Sequence, residues 1–147
     1  GRGPKSNQPS SPPGCPLGRS AFSGAARLSA MSVQVRPMGS QGMMASVQGY
    51  GCMGLTAAYG TALEDEPALA VLERAFKLGV THFDSAEMYV GKDAAGNDKS
   101  NEEVVGKFVA KVGKDNVTIA TKYFPKPEKA ECKPEDVRAS LDASLKK

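Results

Sequence analysis

The sequence predicts an α/β protein in which short strands alternate with amphipathic helices. Residues 80–84 (Val-Thr-His-Phe-Asp) carry the β-branched and aromatic side chains of a half-buried strand and follow Gly79, which stops a helical stripe. Residues 117–122 form a second such run, separated from the first by another helical stripe. Strand, helix, strand, helix in that order is the pattern of a parallel sheet with crossover helices.

Residues 1–30 are rich in Pro, Gly and Ser and contain Arg2, Lys5, Arg19 and Arg27 but no acid. They predict a disordered leader with the composition of an organellar (for instance plastid) transit peptide, or else a translated leader or gene-model artefact preceding a true start at Met31. The globular part is then residues 31–147. Over residues 33–48, two strand-like runs flank Gly39-Ser40-Gln41-Gly42, a turn signal that predicts a hairpin. Gly49-Tyr50-Gly51-Cys52-Met53-Gly54 matches the G-x-G-x-x-G dinucleotide fingerprint, but that motif requires a helix opening at its third glycine. The next dozen residues carry no helical stripe, so this stretch reads as a strand and its loop.

Residues 66–78 predict the first helix, with Pro67 in its first turn and Leu69, Leu72 and Phe76 on one face. Residues 90–99 read as a polar loop whose acids lack calcium-loop spacing. Ser100-Asn101-Glu102-Glu103 predicts a capping box opening a helix with Val104, Val105, Phe108, Val109 and Val112 on one face. In the strand over 117–122, Thr118, Ala120 and Lys122 share a face, with the lysine at its upper end. After a loop over 126–133, a helix from Pro134 places Val137, Leu141 and Leu145 on one face. That periodicity still runs at Lys147, without a glycine cap, as in a chain cut short.

The whole chain has a net charge of +3, yet from residue 31 onward 15 basic residues face 16 acidic ones. That near-neutral balance leaves no nucleic-acid footprint, and no apolar run is long enough to span a membrane. Cys15, Cys52 and Cys132 are odd in number and widely spaced. They argue against a disulfide framework or a zinc site and for a reducing, cytoplasmic setting. Oligomeric state leaves no trace in the sequence.

The chemistry-bearing residues are Asp84 at a strand end, Tyr89 in the loop after it, and Lys122 at the end of the next strand. Free tyrosine titrates near pH 10 and is a poor proton donor at neutrality, but a lysine cation beside it favours the phenolate, and an aspartate can hold that lysine. Taken singly, each has an ordinary role as an amphipathic surface residue or a turn residue. His82 lies one layer below Asp84 on the same face and reads as a hydrogen-bonded structural histidine.

Phe83-Asp84-Ser85-Ala86-Glu87-Met88-Tyr89, preceded by Leu78-Gly79-Val80-Thr81-His82, resembles the signature of the aldo-keto reductases, and Thr121-Lys122 is similar to their catalytic lysine strand. The resemblance covers about residues 36 to 147, in order. It implies the N-terminal portion of a (β/α)8 TIM barrel, about three of its eight units, since a complete barrel needs roughly 250 residues. It further implies NADPH-dependent reduction of a small-molecule aldehyde or ketone to an alcohol. Tyr89 would be the general acid, Lys122 its electrostatic partner and Asp84 the partner of Lys122. Gly51, Cys52 and Met53, together with Asp84, would lie along the nicotinamide half of the cofactor. The hairpin over 33–48 would plug the barrel bottom. The family's catalytic histidine would fall beyond Lys147, and Val90 stands where the family often has glycine. Two other roles fit the resemblance: a cofactor-binding regulatory subunit of the potassium channel β type, and a non-functional fragment.

Overall fold

The structure, a computed structural model, describes Gly1, residues 33–125 and residues 132–147. The expected leader over residues 1–30 and most of the loop over 126–133 lie outside the described residues.

Strands β1 (Val35–Met38) and β2 (Met43–Ser46) form the expected antiparallel hairpin. Gly39 and Gly42 occupy its turn at φ of 71° and 82°, a left-handed conformation open to glycine. The hairpin docks through Ser46, whose backbone N–H donates to the Thr81 hydroxyl and whose own hydroxyl accepts from the Thr81 N–H, each at 2.9 Å.

The central sheet is parallel, in the order β3 (Gly49–Gly51), β4 (His82–Asp84), β7 (Thr118–Ala120). Helix α1 (Asp65–Lys77) connects the first pair and α2 (Asn101–Val112) lies between the second. The fingerprint-like glycine stretch opens a single 3-10 turn, Met53–Leu55, and the helix begins only at Asp65, as a strand-and-loop reading requires. Register pairs Gly51 with Asp84 and Asp84 with Ala120.

Alternation along β4 decides the two faces. Phe83 points into a core with Leu72, Val104, Val105 and Phe108, all buried. Its ring lies 4.8 Å from that of Phe108, which meets Phe76 edge-on at 6.2 Å. His82 and Asp84 point to the opposite face. His82 Nδ1 sits 2.9 Å from the Thr118 hydroxyl, the structural role expected of it.

Two local expectations fail. Residues 90–99 are not a plain polar loop: β5 (Val90–Lys92) and β6 (Asp98–Ser100) pair as an antiparallel hairpin. The Asp93 carboxylate closes its turn, accepting from the N–H groups of Ala95 and Asn97 at 2.9 and 2.8 Å, an Asx-type turn that a sequence scan for calcium spacing overlooks. Nor is there a capping box at α2. Ser100 is the last residue of β6 and, among the described residues, its buried hydroxyl has no partner. The strand pairing holds Ser100 against Val90, so the helix start is satisfied elsewhere: the Asn101 N–H donates to the Tyr89 carbonyl.

Helix α3 (Pro134–Ser144) carries the predicted stripe, but no described residue of it is buried. Among the described residues, no helix is long and apolar enough to cross a membrane.

Candidate active site

Sheet pairing continues past the formal strand ends, which is what carries functional side chains to one rim. The Ser85 N–H donates to the Ala120 carbonyl at 2.8 Å and the Glu87 N–H to the Lys122 carbonyl at 3.3 Å. Lys122 is therefore two residues beyond β7, yet in register with the loop after Asp84. Its ammonium donates to Asp84 Oδ2 at 2.7 Å and to the Ser85 carbonyl at 2.7 Å, and lies 4.9 Å from the centroid of the Tyr89 ring. The structure thus brings together the three residues singled out from sequence.

Partial burial at the rim disfavours the Lys122 cation, but the hydrogen bond to Asp84 and the nearness of Tyr89 outweigh it and leave the ammonium more basic than an ordinary lysine. The pair remains open to solvent, with side chains 44% and 42% exposed.

The remaining candidates separate by side-chain direction. Gly51 stands beside Asp84, and nothing lies within 4 Å of where its Cβ would be, so its backbone is open to a ligand from this face. Met53 is half-buried in the 3-10 turn. Cys52 turns its thiol into the core. Burial, then the Asp84 charge, push its pKa up to about 12, which leaves an inert thiol. Cys52 serves the site through its backbone, its N–H donating to the Asp84 carbonyl at 2.8 Å.

Sequence reasoning missed a polar cluster beneath the rim. Asn101 is fully buried; its amide nitrogen donates to the Cys52 carbonyl and the Thr56 hydroxyl at 2.8 and 2.9 Å, and its oxygen accepts from the Ser85 hydroxyl at 2.7 Å. Glu87 was missed as well. Its carboxylate accepts from the Phe124 N–H at 2.6 Å and from the Ser140 hydroxyl, tying the segment after Lys122 to α3. The only sequence signal was Asn101 standing at the first turn of an amphipathic helix, where an asparagine reads as a cap.

A Cβ on Gly91 would sit 1.6 Å from the Thr56 carbonyl oxygen, so the loop after Tyr89 makes a close backbone approach that only glycine allows.

Residues 49–147 match the family model for the aldo/keto reductase family. The chain is 38% identical over 122 residues to "Probable aldo-keto reductase 1" of Glycine max, covering 78% of this chain and 33% of that protein. It is also 38% identical over 124 residues to "Aldo-keto reductase yakc [NADP(+)]" of Schizosaccharomyces pombe, covering 80% and 34%. Among solved structures, the aldo-keto reductase AKR11C1 from Bacillus halodurans, in its holo form, superposes with a TM-score of 0.56 at 25% identity, over 78% of this chain and 36% of that one. The chain spans about a third of the length of the curated relatives it matches. Its parallel sheet and helices are the corresponding portion of a (β/α)8 barrel, and the chain belongs to the aldo/keto reductase family.

Proposed function

We propose that this chain carries the proton-donating wall of an oxidoreductase that reduces small aldehydes or ketones with NADPH. The observation that carries the reading is the Lys122 ammonium, held 2.7 Å from Asp84 and 4.9 Å from the Tyr89 ring on an open rim. A bound nicotinamide cofactor would supply the hydride; the protein's part is the proton. Tyr89 donates its hydroxyl proton to the carbonyl oxygen as negative charge develops there. The phenolate left behind is stabilised by Lys122, which donates to it, while Asp84 and the Ser85 carbonyl keep that cation in place. Asp84 accepts from Lys122 through Oδ2, and its part is to hold that cation.

The residues fit such a cofactor: Gly51 offers uncrowded backbone beside Asp84, on the face that Lys122 also occupies. NADPH rather than NADH is supported by the name of the Schizosaccharomyces pombe relative. The test is carbonyl-dependent oxidation of NADPH by the purified protein. Tyr89→Phe is expected to lower the rate by about 10²–10⁴-fold while leaving NADPH binding intact. A Tyr89→Phe protein that turns over at the original rate would remove Tyr89 from the reaction. NADPH binding with no turnover of any carbonyl would favour a cofactor-sensing role instead.

A further inference from the structure

We infer that Asn101 is the positioning residue for Tyr89, an inference that rests on the proton-donor role proposed above. Three segments must be held together for the rim to form: the loop after β3, the loop after β4, and the start of α2. Asn101, the first residue of α2, bonds to both of the loops. Its backbone N–H donates to the Tyr89 carbonyl at 2.9 Å, its amide oxygen accepts from Ser85, and its amide nitrogen donates to Cys52 and Thr56. Thr56 completes the ring by donating its hydroxyl to the same Tyr89 carbonyl at 3.1 Å. Tyr89 is thus gripped at its peptide oxygen from two sides.

Ser85 links this cluster to the cation. Its hydroxyl is bound by Asn101 while its carbonyl accepts from Lys122. One buried residue therefore fixes the backbone of the tyrosine, directly by its main-chain N–H and through Thr56 by its side-chain amide, and, through Ser85, an acceptor of the lysine that faces it. Both amide N–H groups and the amide oxygen of Asn101 are engaged, so no other side chain of this size can replace it: aspartate lacks the two donors and leucine lacks everything. Groups that act in a reaction hold their geometry through such buried supports, and a displacement near 1 Å is enough to lose much of the rate.

The experiment compares Asn101→Asp and Thr56→Val with the original protein, measuring kcat, KM and NADPH dissociation constants together with the nuclear Overhauser contact between the Lys122 side chain and the Tyr89 ring. The expected result is a kcat lowered by about 10–100-fold in Asn101→Asp and by a smaller factor in Thr56→Val, from misplacement of the donor, with NADPH affinity little changed. The Lys122–Tyr89 contact should weaken in the same order. Thr56→Val retains the side-chain shape and so reports on the cluster even where Asn101→Asp does not fold. Unchanged kcat per folded molecule with the contact intact, whatever the loss of thermal stability, would reduce Asn101 to a purely structural residue and overturn the inference. If the original protein reduces no carbonyl, the proton-donor reading fails by itself; the Lys122–Tyr89 contact then decides the positioning alone, its loss supporting the inference and its retention overturning it.

Discussion

Helices α2 and α3 are nearly equal in length and both carry an apolar stripe, yet they come to different ends. In α2, Val104, Val105 and Phe108 are buried against Phe83 and Leu72. In α3, Val137, Leu141 and Leu145 remain 41%, 50% and 76% exposed. Ile119, on the strand beside it, is 41% exposed too. The difference is one of partners. Helix α2 finds α1 and the helix-facing side of β4 within reach, whereas α3 is tethered at the edge of the sheet by polar contacts, Ser140 to Glu87 and Lys147 to Glu102. An amphipathic pattern states that a face can be buried; it does not supply the surface that buries it.

The contrast can be broken most directly at Phe83. Phe83→Ala removes a fully buried ring in contact with Phe108 and should cost about 3–5 kcal/mol in urea denaturation, whereas Leu141→Ala should stay within about 1 kcal/mol. Equal losses would mean that α3 is packed as tightly as α2.

Next comes backbone packing at the site. Gly91→Ala must displace the Thr56 carbonyl and should destabilise by about 2 kcal/mol or more, with loss of the Tyr89 geometry. Gly96→Ala, at a φ of 86° with open space around it, should cost only about 1 kcal/mol. Both are read from thermal melts; a larger effect at Gly96 would contradict the close approach at Gly91.

The rim ion pair sets a smaller, pH-dependent term. Because the folded state raises the Lys122 pKa, its contribution is complete below the ordinary lysine value and is lost as pH climbs through the raised folded one. With both side chains so exposed, that contribution should be under about 1 kcal/mol. Lys122→Met should flatten the alkaline limb of stability against pH; an unaltered limb would show that the pair adds nothing.

The mildest comparison is between thiols. Cys132 is exposed and should react with a disulfide reagent at pH 8, whereas Cys52, buried and held near 12, should react only on unfolding. Reactivity of Cys52 in the native protein would place it at the surface of the site after all.

Much of this site was legible because its key residues sit at strand ends, where period-two alternation assigns faces without reference to the rest of the chain. Asp84 and Lys122 follow from that rule, as does the direction of Phe83 into the core. Tyr89 follows from its place in the loop after a strand. The rule also ran out in particular places. Pairing of Val90 with Ser100 converted an expected loop into a hairpin, and Ser100, although it stands at the N-cap of α2, makes no side-chain capping hydrogen bond. Cys52 sends its thiol to the core, a burial that its place in a glycine-rich stretch did not announce.

By itself, then, the sequence determined the alternation of the central parallel strands with α1 and α2, the stop at Gly79, the hairpin turn at Gly39 and Gly42, and which strand-end residues could meet. These depend on local backbone preference and short periodicity. The tertiary structure alone decided that Asn101 gathers Cys52, Thr56, Ser85 and Tyr89, that Gly91 must lack a side chain, and that α2 is buried while α3 is not. Those outcomes depend on contacts between residues 12 to 49 positions apart, whose strength lies in distance and desolvation rather than in the pattern of either segment.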